Sequence, residues 1–250
     1  MILNRKALRG MRNSEHNLFY GNDIDGNTIR LDDSESGHAV SVLRVKKDQR
    51  LQVTDGNGAI YDCRCMDITR QSVSCEILSR AIIPRFAPEL TLLVGIPDRE
   101  HFEALIEHAA ALCVSRIVPL VMDHCRKPWW ESWEKLRRRF ASKMVVSMKQ
   151  CLYPYIPRLD APASLNGVID TCEKPLIVAD QNGKALRDTD LSSLTSKKLC
   201  CLTGPPGGIS ENELKILNSH EILTIKIAPT RLRTELAAIL LCSRIMGAFL

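Results

Sequence analysis

The chain has 250 residues, of which 45% are hydrophobic and 25% charged, and its formal net charge is +5. This composition argues against a disordered chain, and so small a charge does not by itself indicate a nucleic-acid partner. No apolar run approaches the roughly 18 residues of a membrane span, so we expect no membrane partner. The ten cysteines lack the spacing of a zinc site or a disulfide framework, so we expect reduced thiols and no metal partner. Together these features indicate a cytoplasmic protein.

Short β-like segments follow one another from residue 17 to about residue 83. They are residues 18–20, 39–45, 50–54, 59–65 and 72–78. The sequence Asp55-Gly-Asn-Gly58 separates two of them, and its glycines permit the positive φ angles of a hairpin turn. The spacing of these short strands predicts a small β-barrel domain, to which we assign residues 11–83.

The apolar runs lengthen after Pro84 and Pro88, where we place the domain boundary. The predicted strands at residues 90–96, 117–122, 176–179, 199–203 and 223–227 are continuous rather than alternating, which is typical of strands covered on both faces. Predicted helices at residues 99–112, 130–151, 211–218 and 233–247 alternate with them. Residues 84–250 are therefore predicted to form an α/β domain with a parallel sheet.

A glycine-rich segment from Leu202 to Glu213 is the most informative part of the chain. A buried strand ends there, and Ser210 with Glu213 three positions later forms a capping box that begins a helix. Glycine lets the backbone approach a ligand that a Cβ would exclude, which favours a binding loop. A tight turn between strand and helix, without a ligand, is an equally open interpretation. The segment matches neither the P-loop nor the dinucleotide-binding pattern.

A second loop of this kind leads from a predicted strand through Pro229 into the last helix. Thr234 and Glu235 lie at the helix start, where they can cap it, while Arg231 and Arg233 can face either water or phosphate. In open α/β sheets ligands bind where the carboxyl ends of neighbouring strands meet. The two loops together therefore predict a ligand crevice.

Six pieces of the sequence stand in an order that resembles a known family. They are His38-Ala-Val-Ser-Val-Leu-Arg44, Asp55-Gly-Asn-Gly58, Val114-Ser-Arg-Ile-Val-Pro119, Gln150, Gly204-Pro-Pro-Gly-Gly-Ile-Ser210 and Leu232-Arg-Thr-Glu235. Over nearly the whole chain they resemble the RsmE family of 16S rRNA uracil-N3 methyltransferases. The resemblance implies a small PUA-like β-barrel domain followed by a SPOUT-type α/β trefoil-knot domain, which acts as a homodimer. It also implies S-adenosylmethionine as cofactor and 16S rRNA or the small ribosomal subunit as partner.

The resemblance further assigns site residues. The implied cofactor-binding residues are Leu202, Thr203, Gly204, Gly207, Gly208, Ile227, Ala228, Pro229, Leu232 and Thr234. Arg233 and Glu235 would lie beside the methyl-transfer centre. Because uracil N3 is a poor nucleophile until it loses its proton, we expect Glu235 to act as the base and Arg233 to stabilise the anion. The implied RNA-binding residues are Arg12, His38, Arg44, Lys46 and Lys47, although a structural role is at least as common for a histidine such as His38.

The chain departs from the family pattern at several polar positions. Pro206 stands where the family usually has a glutamate, and His108 and Ala111 stand where lysine and glutamate are common. Two alternatives to uracil-N3 methylation follow: an RNA-binding or ribosome-assembly factor that keeps the fold without turnover, and a methyltransferase for another RNA base. The neighbouring Asp123, His124 and Cys125 invite a metal site, but no further ligand at suitable spacing accompanies them.

Overall fold

The computed structural model describes residues 18–69, 72–126, 128–185, 189–191, 194 and 196–249. The chain forms two compact units, one of residues up to 85 with 145–156, and the other of residues 86–144 with those from 157 onward. Arg12, a predicted RNA contact, lies outside the described residues.

The first unit is built on a six-stranded mixed sheet. Its strands are β1 (Leu18–Tyr20), β2 (Asp23–Asp25), β3 (Thr28–Arg30), β4 (Arg50–Thr54), β5 (Ala59–Ile68) and β6 (Val73–Ile82). Their order across the sheet is β1-β4-β5-β6-β3-β2; β1 and β4 are parallel, and the other neighbours are antiparallel. The predicted hairpin between β4 and β5 is confirmed, and Gly56 and Gly58 in its turn have φ angles of 73° and 101°.

Helix α1 (Asp33–Ser41) occupies part of the segment that the sequence predicts as a strand at residues 39–45, and this prediction is wrong. Asp32 is the N-cap residue, and its side chain accepts a hydrogen bond of 2.8 Å from the backbone N–H of Glu35. His38 therefore lies on a helix, where it is exposed to solvent, and not at the start of a strand.

All ten cysteines lie within the described residues and are free. Three of them, Cys63, Cys65 and Cys75, belong to the buried core of the first unit. Burial raises the pKa of Cys63 to about 12, so its thiol stays protonated at neutral pH. Six of the ten are buried and four are partly buried, which agrees with the prediction of mostly buried thiols.

The second unit contains a seven-stranded sheet in which every described pairing is parallel. Its strands are β7 (Glu89–Gly95), β8 (Arg116–Val121), β9 (Arg158–Leu159), β10 (Ala163–Ser164), β11 (Leu176–Ala185), β12 (Lys198–Thr203) and β13 (Ile222–Lys226). Their order is β10-β8-β7-β12-β11-β13, with β9 beside β8. The predicted parallel sheet is confirmed, while the short strands β9 and β10 were not predicted.

Helices alternate with these strands. They are α2 (Arg99–Ala111), α3 (Trp133–Cys151), α4 (Leu165–Val168), α5 (Glu211–Asn218) and α6 (Thr234–Gly247), and short 3-10 helices occupy Trp129–Ser132 and Ile169–Thr171. The four longer helices begin and end close to their predicted bounds. Strand residues such as Leu93, Val118 and Leu202 are almost fully buried, as expected for a covered sheet. Among the helices that the structure describes, none is long and apolar enough to cross a membrane.

Candidate functional site

Three segments at the carboxyl ends of adjacent strands border one hollow in the second unit. One segment follows the end of β12 and one follows the end of β13. The third begins at Ala179, where β11 stops pairing with β12. The hollow holds about 630 Å³ of empty space, counting the part open to solvent. Its lining consists of Ala179, Asp180, Gln181, Thr203, Gly204, Pro205, Pro206, Gly208, Ile209, Ile227, Arg231, Leu232, Thr234 and Ala237.

Most of the cofactor residues that the resemblance implies border this hollow. Those in its lining are Thr203, Gly204, Gly208, Ile227, Leu232 and Thr234. The remaining residues lie elsewhere. Leu202 is fully buried in the core, Gly207 lies against His124, and Ala228 and Pro229 line a wider groove beside α6.

The segment Ala179–Gln181 is part of the lining that sequence reasoning missed. A signal was present, because the apolar run that ends at Ala179 is followed by Asp180, Gln181, Asn182 and Gly183. The rule that places ligands at the carboxyl ends of parallel strands applies here as well, because the pairing of β11 with β12 ends at Ala179. Gln181 Nε2 donates a hydrogen bond of 2.8 Å to the Thr230 carbonyl, which connects this segment to the loop after β13.

Side chains from other segments fix the glycine-rich loop through its carbonyl groups. These hydrogen bonds run from Thr234 Oγ1 to Gly204 O, from Arg231 Nη2 to Pro206 O and from His124 Nδ1 to Gly208 O, each 3.0 Å long. Within the loop, the Gly208 N–H donates to Pro205 O at 2.8 Å. Pro206 lacks a backbone donor, but its carbonyl is one of the groups that hold the loop.

The lining of the hollow suits a ligand with polar and charged groups. Thr203 Oγ1 is buried and finds no hydrogen-bond partner in the part of the chain that the structure describes, and a buried hydroxyl of this kind calls for a ligand or a water molecule. Gly208 has a φ of 87°, and nothing lies within 4 Å of the position that a Cβ would take. Asp180 and Arg231 place one negative and one positive charge in the lining.

Arg233 and Glu235, the candidate catalytic residues, lie on either side of Thr234 but do not line the hollow themselves. Both approach His101 on α2: Arg233 Nη1 lies 3.5 Å and Glu235 Oε1 3.9 Å from its Nε2. Arg233 is the N-cap residue of α6, and no side chain caps that helix, so the capping interpretation of Thr234 and Glu235 is wrong. Sequence reasoning missed His101, because its contacts arise from the packing of α2 against α6.

The predicted capping box of α5 is confirmed. Ser210 Oγ accepts from the Glu213 N–H at 3.2 Å, and Glu213 Oε2 accepts from the Ser210 N–H at 2.8 Å. No group of three metal-ligating side chains occurs among the described residues. Asp123 and His124 contact the glycine-rich loop and the start of α5 instead.

In the first unit, the four predicted RNA contacts that the structure describes lie close together in the sequence. Arg44, Lys46 and Lys47 are exposed in the loop between α1 and β4, and His38 is exposed on α1. Buried Val45 separates Arg44 from the two lysines and anchors the loop. The arrangement gives this loop an exposed cluster of positive charge, which suits contact with phosphate groups.

Two family models match the chain. One, described as an RNA methyltransferase domain, covers residues 85–246, and the other, described as an RNA methyltransferase PUA domain, covers residues 31–78. The ribosomal RNA small subunit methyltransferase E of Aquifex aeolicus is 26% identical over 231 residues, which cover 92% of this chain and 99% of that protein. The protein of the same name from Mycobacterium tuberculosis is 24% identical over 229 residues, or 88% of this chain and 87% of its own.

Solved structures share the fold. The Legionella pneumophila protein Lpg2936, solved in complex with the bound cofactor SAM, has a TM-score of 0.83 and 24% identity, and the match covers 94% of this chain and 98% of that one. The ribosomal RNA small subunit methyltransferase E of Neisseria gonorrhoeae, bound to S-adenosyl methionine, has a TM-score of 0.80 and 19% identity, with 93% and 98% covered. The predicted fold class, a PUA-like domain followed by an α/β domain with a parallel sheet, is confirmed.

Proposed function

The chain belongs to the RNA methyltransferase family, and from this premise we propose that it transfers the methyl group of S-adenosylmethionine to N3 of a uridine in 16S rRNA. The observation that carries the proposal is the hollow where the glycine-rich loop, the loop after β13 and residues 179–181 meet. Relatives named ribosomal RNA small subunit methyltransferase E match most of the chain and support rRNA as the substrate.

The residues in the lining fit S-adenosylmethionine, which supplies a methyl group on positively charged sulfur when it is bound. That molecule carries an amine and a carboxylate besides the sulfonium, and the lining offers Asp180 for positive groups and Arg231 for the carboxylate. The Thr203 hydroxyl and the loop backbone provide hydrogen bonds for its neutral groups. The residues proposed to hold it are the six implied residues that line the hollow, extended by Asp180, Gln181 and Arg231.

Arg233 and Glu235 are proposed to act on the base. The Glu235 carboxylate would accept the proton from uracil N3, and the electron pair left on N3 would form the bond to the methyl carbon. The bond between that carbon and the sulfonium sulfur would break at the same time, and its electron pair would stay on the sulfur, which becomes a neutral thioether. The Arg233 guanidinium stabilises the negative charge that spreads to the uracil oxygens. Their position on either side of Thr234, which does line the hollow, supports these roles.

The first unit is proposed to hold the RNA. Its exposed loop with Arg44, Lys46 and Lys47, together with His38, would contact phosphates and position the target base without reading its sequence. We also propose that the chain acts as a cytoplasmic homodimer with a trefoil knot, and that residues 11–83 and 84–250 are its RNA-binding and catalytic domains.

Two measurements test this function. In mass spectrometry of 16S rRNA nucleosides, we expect 3-methyluridine to be lost from cells that lack the gene and to return on complementation. Unchanged 3-methyluridine, with loss of another methylated nucleoside, would favour the alternative target base. Isothermal titration of the purified protein should detect S-adenosylmethionine binding, and no binding at high micromolar cofactor would favour the assembly-factor alternative.

A further inference from the structure

The segment after β8 lies directly against the glycine-rich loop. The backbone N–H of Asp123 donates to Glu213 Oε1 at 2.9 Å, and Ser210 Oγ donates to Asp123 Oδ2 at 2.5 Å. Glu213 is almost fully buried, with 6% of its surface exposed. The two residues that cap α5 therefore also fix the backbone at Asp123, and this determines where the next residue, His124, is placed.

His124 packs closely on the glycine-rich loop. A Cβ added to Gly207 would lie 2.5 Å from the His124 Cβ and 3.0 Å from its carbonyl oxygen, so only glycine allows this approach. The imidazole Nδ1 lies 3.0 Å from Gly208 O. Because a carbonyl oxygen can only accept, Nδ1 carries the proton and donates it in this bond.

The bond from His124 fixes the orientation of the peptide between Gly208 and Ile209. In a planar trans peptide the C=O and N–H groups point in opposite directions, so the Ile209 N–H points away from His124. Ile209 lines the hollow, and within the described residues no group accepts from its N–H. Since glycine permits many backbone angles, this peptide can rotate once the imidazole is removed.

We propose that His124 is a positioning residue, which holds the Gly208–Ile209 peptide so that the Ile209 N–H is available to a ligand in the hollow. The inference rests on the proposed function, in which S-adenosylmethionine is that ligand. His124 acts through the loop backbone and does not itself line the hollow. Its role therefore concerns cofactor binding and not the transfer step.

The substitutions His124→Asn, His124→Gln and His124→Ala separate this role from general packing. The asparagine amide nitrogen stands at the same number of bonds from Cβ as Nδ1 and can donate to Gly208 O, whereas the glutamine nitrogen stands one bond farther away. His108→Ala, at an exposed position on α2, is the matched control.

Hydrogen–deuterium exchange of residues 203–210 without cofactor measures the loop directly. We expect exchange to be about three- to tenfold faster in the alanine and glutamine variants, the effect of one net hydrogen bond, and near wild type in His124→Asn and His108→Ala. Equal exchange in wild type and His124→Ala, or equal effects of asparagine and glutamine, would overturn the proposal. This result stands even where wild type fails to bind S-adenosylmethionine, an outcome that contradicts only the proposed function.

Cofactor kinetics provide the second readout. The KM for S-adenosylmethionine should rise about three- to tenfold in His124→Ala, with kcat close to wild type and with recovery in His124→Asn. A fall in kcat at unchanged KM would place His124 in the transfer step and overturn its positioning role.

Discussion

Thr234→Val tests whether the start of α6 holds the glycine-rich loop in place. The Thr234 hydroxyl donates to Gly204 O at 3.0 Å, and 5% of the residue is exposed. Valine has nearly the same shape but cannot donate, so the Gly204 carbonyl loses its partner at a cost of about 1–2 kcal/mol. For a chain of this length each kcal/mol lowers Tm by roughly 2–4 °C, so we expect a decrease of roughly 2–8 °C.

Calorimetry with and without S-adenosylmethionine is the assay, and Thr234→Ser is the control because it keeps the hydroxyl. The increase in Tm on adding cofactor should be smaller in Thr234→Val than in Thr234→Ser, since a ligand stabilises the folded state in proportion to the logarithm of its affinity. A Tm for Thr234→Val within about 1 °C of the serine variant would refute the reasoning, because it would mean that the hydrogen bond contributes nothing measurable.

Three further predictions concern charged groups. Glu235→Gln should bind S-adenosylmethionine like wild type and lower turnover by about 100-fold or more in a methyl-transfer assay, and unchanged turnover would exclude its role as base. The hydrogen bond from Arg139 holds the pKa of Glu103 below its usual 4.5 against the opposing effect of burial. The ionised carboxylate therefore contributes its full stability at pH values above 4.5, and this contribution is lost as the pH falls through the lowered pKa of the folded state. The Tm difference between wild type and Glu103→Gln should shrink in acid, and a constant difference would contradict this. Replacing Lys46 and Lys47 by glutamine should reduce the slope of log affinity against log salt for an RNA fragment by roughly 1.4–1.8, measured by fluorescence anisotropy, and an unchanged slope would argue against both contacts.

The parallel sheet could be predicted because its strands are buried on both faces. Leu92, Leu93 and Val94 are consecutive in β7 and all fully buried, so this run differs from the alternating pattern of a half-exposed strand. The glycine-rich loop and its capping box could also be predicted, because Ser210 and Glu213 are three residues apart and interact locally. In both of these cases the signal is carried by neighbours in the sequence, and the prediction is confirmed.

Helix α1 could not be predicted in this way. Its Glu35 accepts from the Tyr20 N–H at 3.2 Å and forms an ion pair of 2.5 Å with Lys149. Ser36 accepts from the Val73 N–H at 3.1 Å. These partners are distant in the sequence, and they outweigh the strand-like alternation of residues 39–45. His101 was missed for the same reason, since its neighbours on α6 are more than 130 residues away.

The way in which the glycine-rich loop is fastened bears on how a ligand enters the hollow. Glycines usually give a loop many conformations. A ligand that binds only one of them binds more weakly, because ordering the loop costs conformational entropy. Here folding has already ordered the backbone, so the hollow is a preformed receptor and binding needs no induced fit at this loop. The heat-capacity change on association should then reflect burial of the ligand surface alone, without the additional contribution of a segment that folds around it.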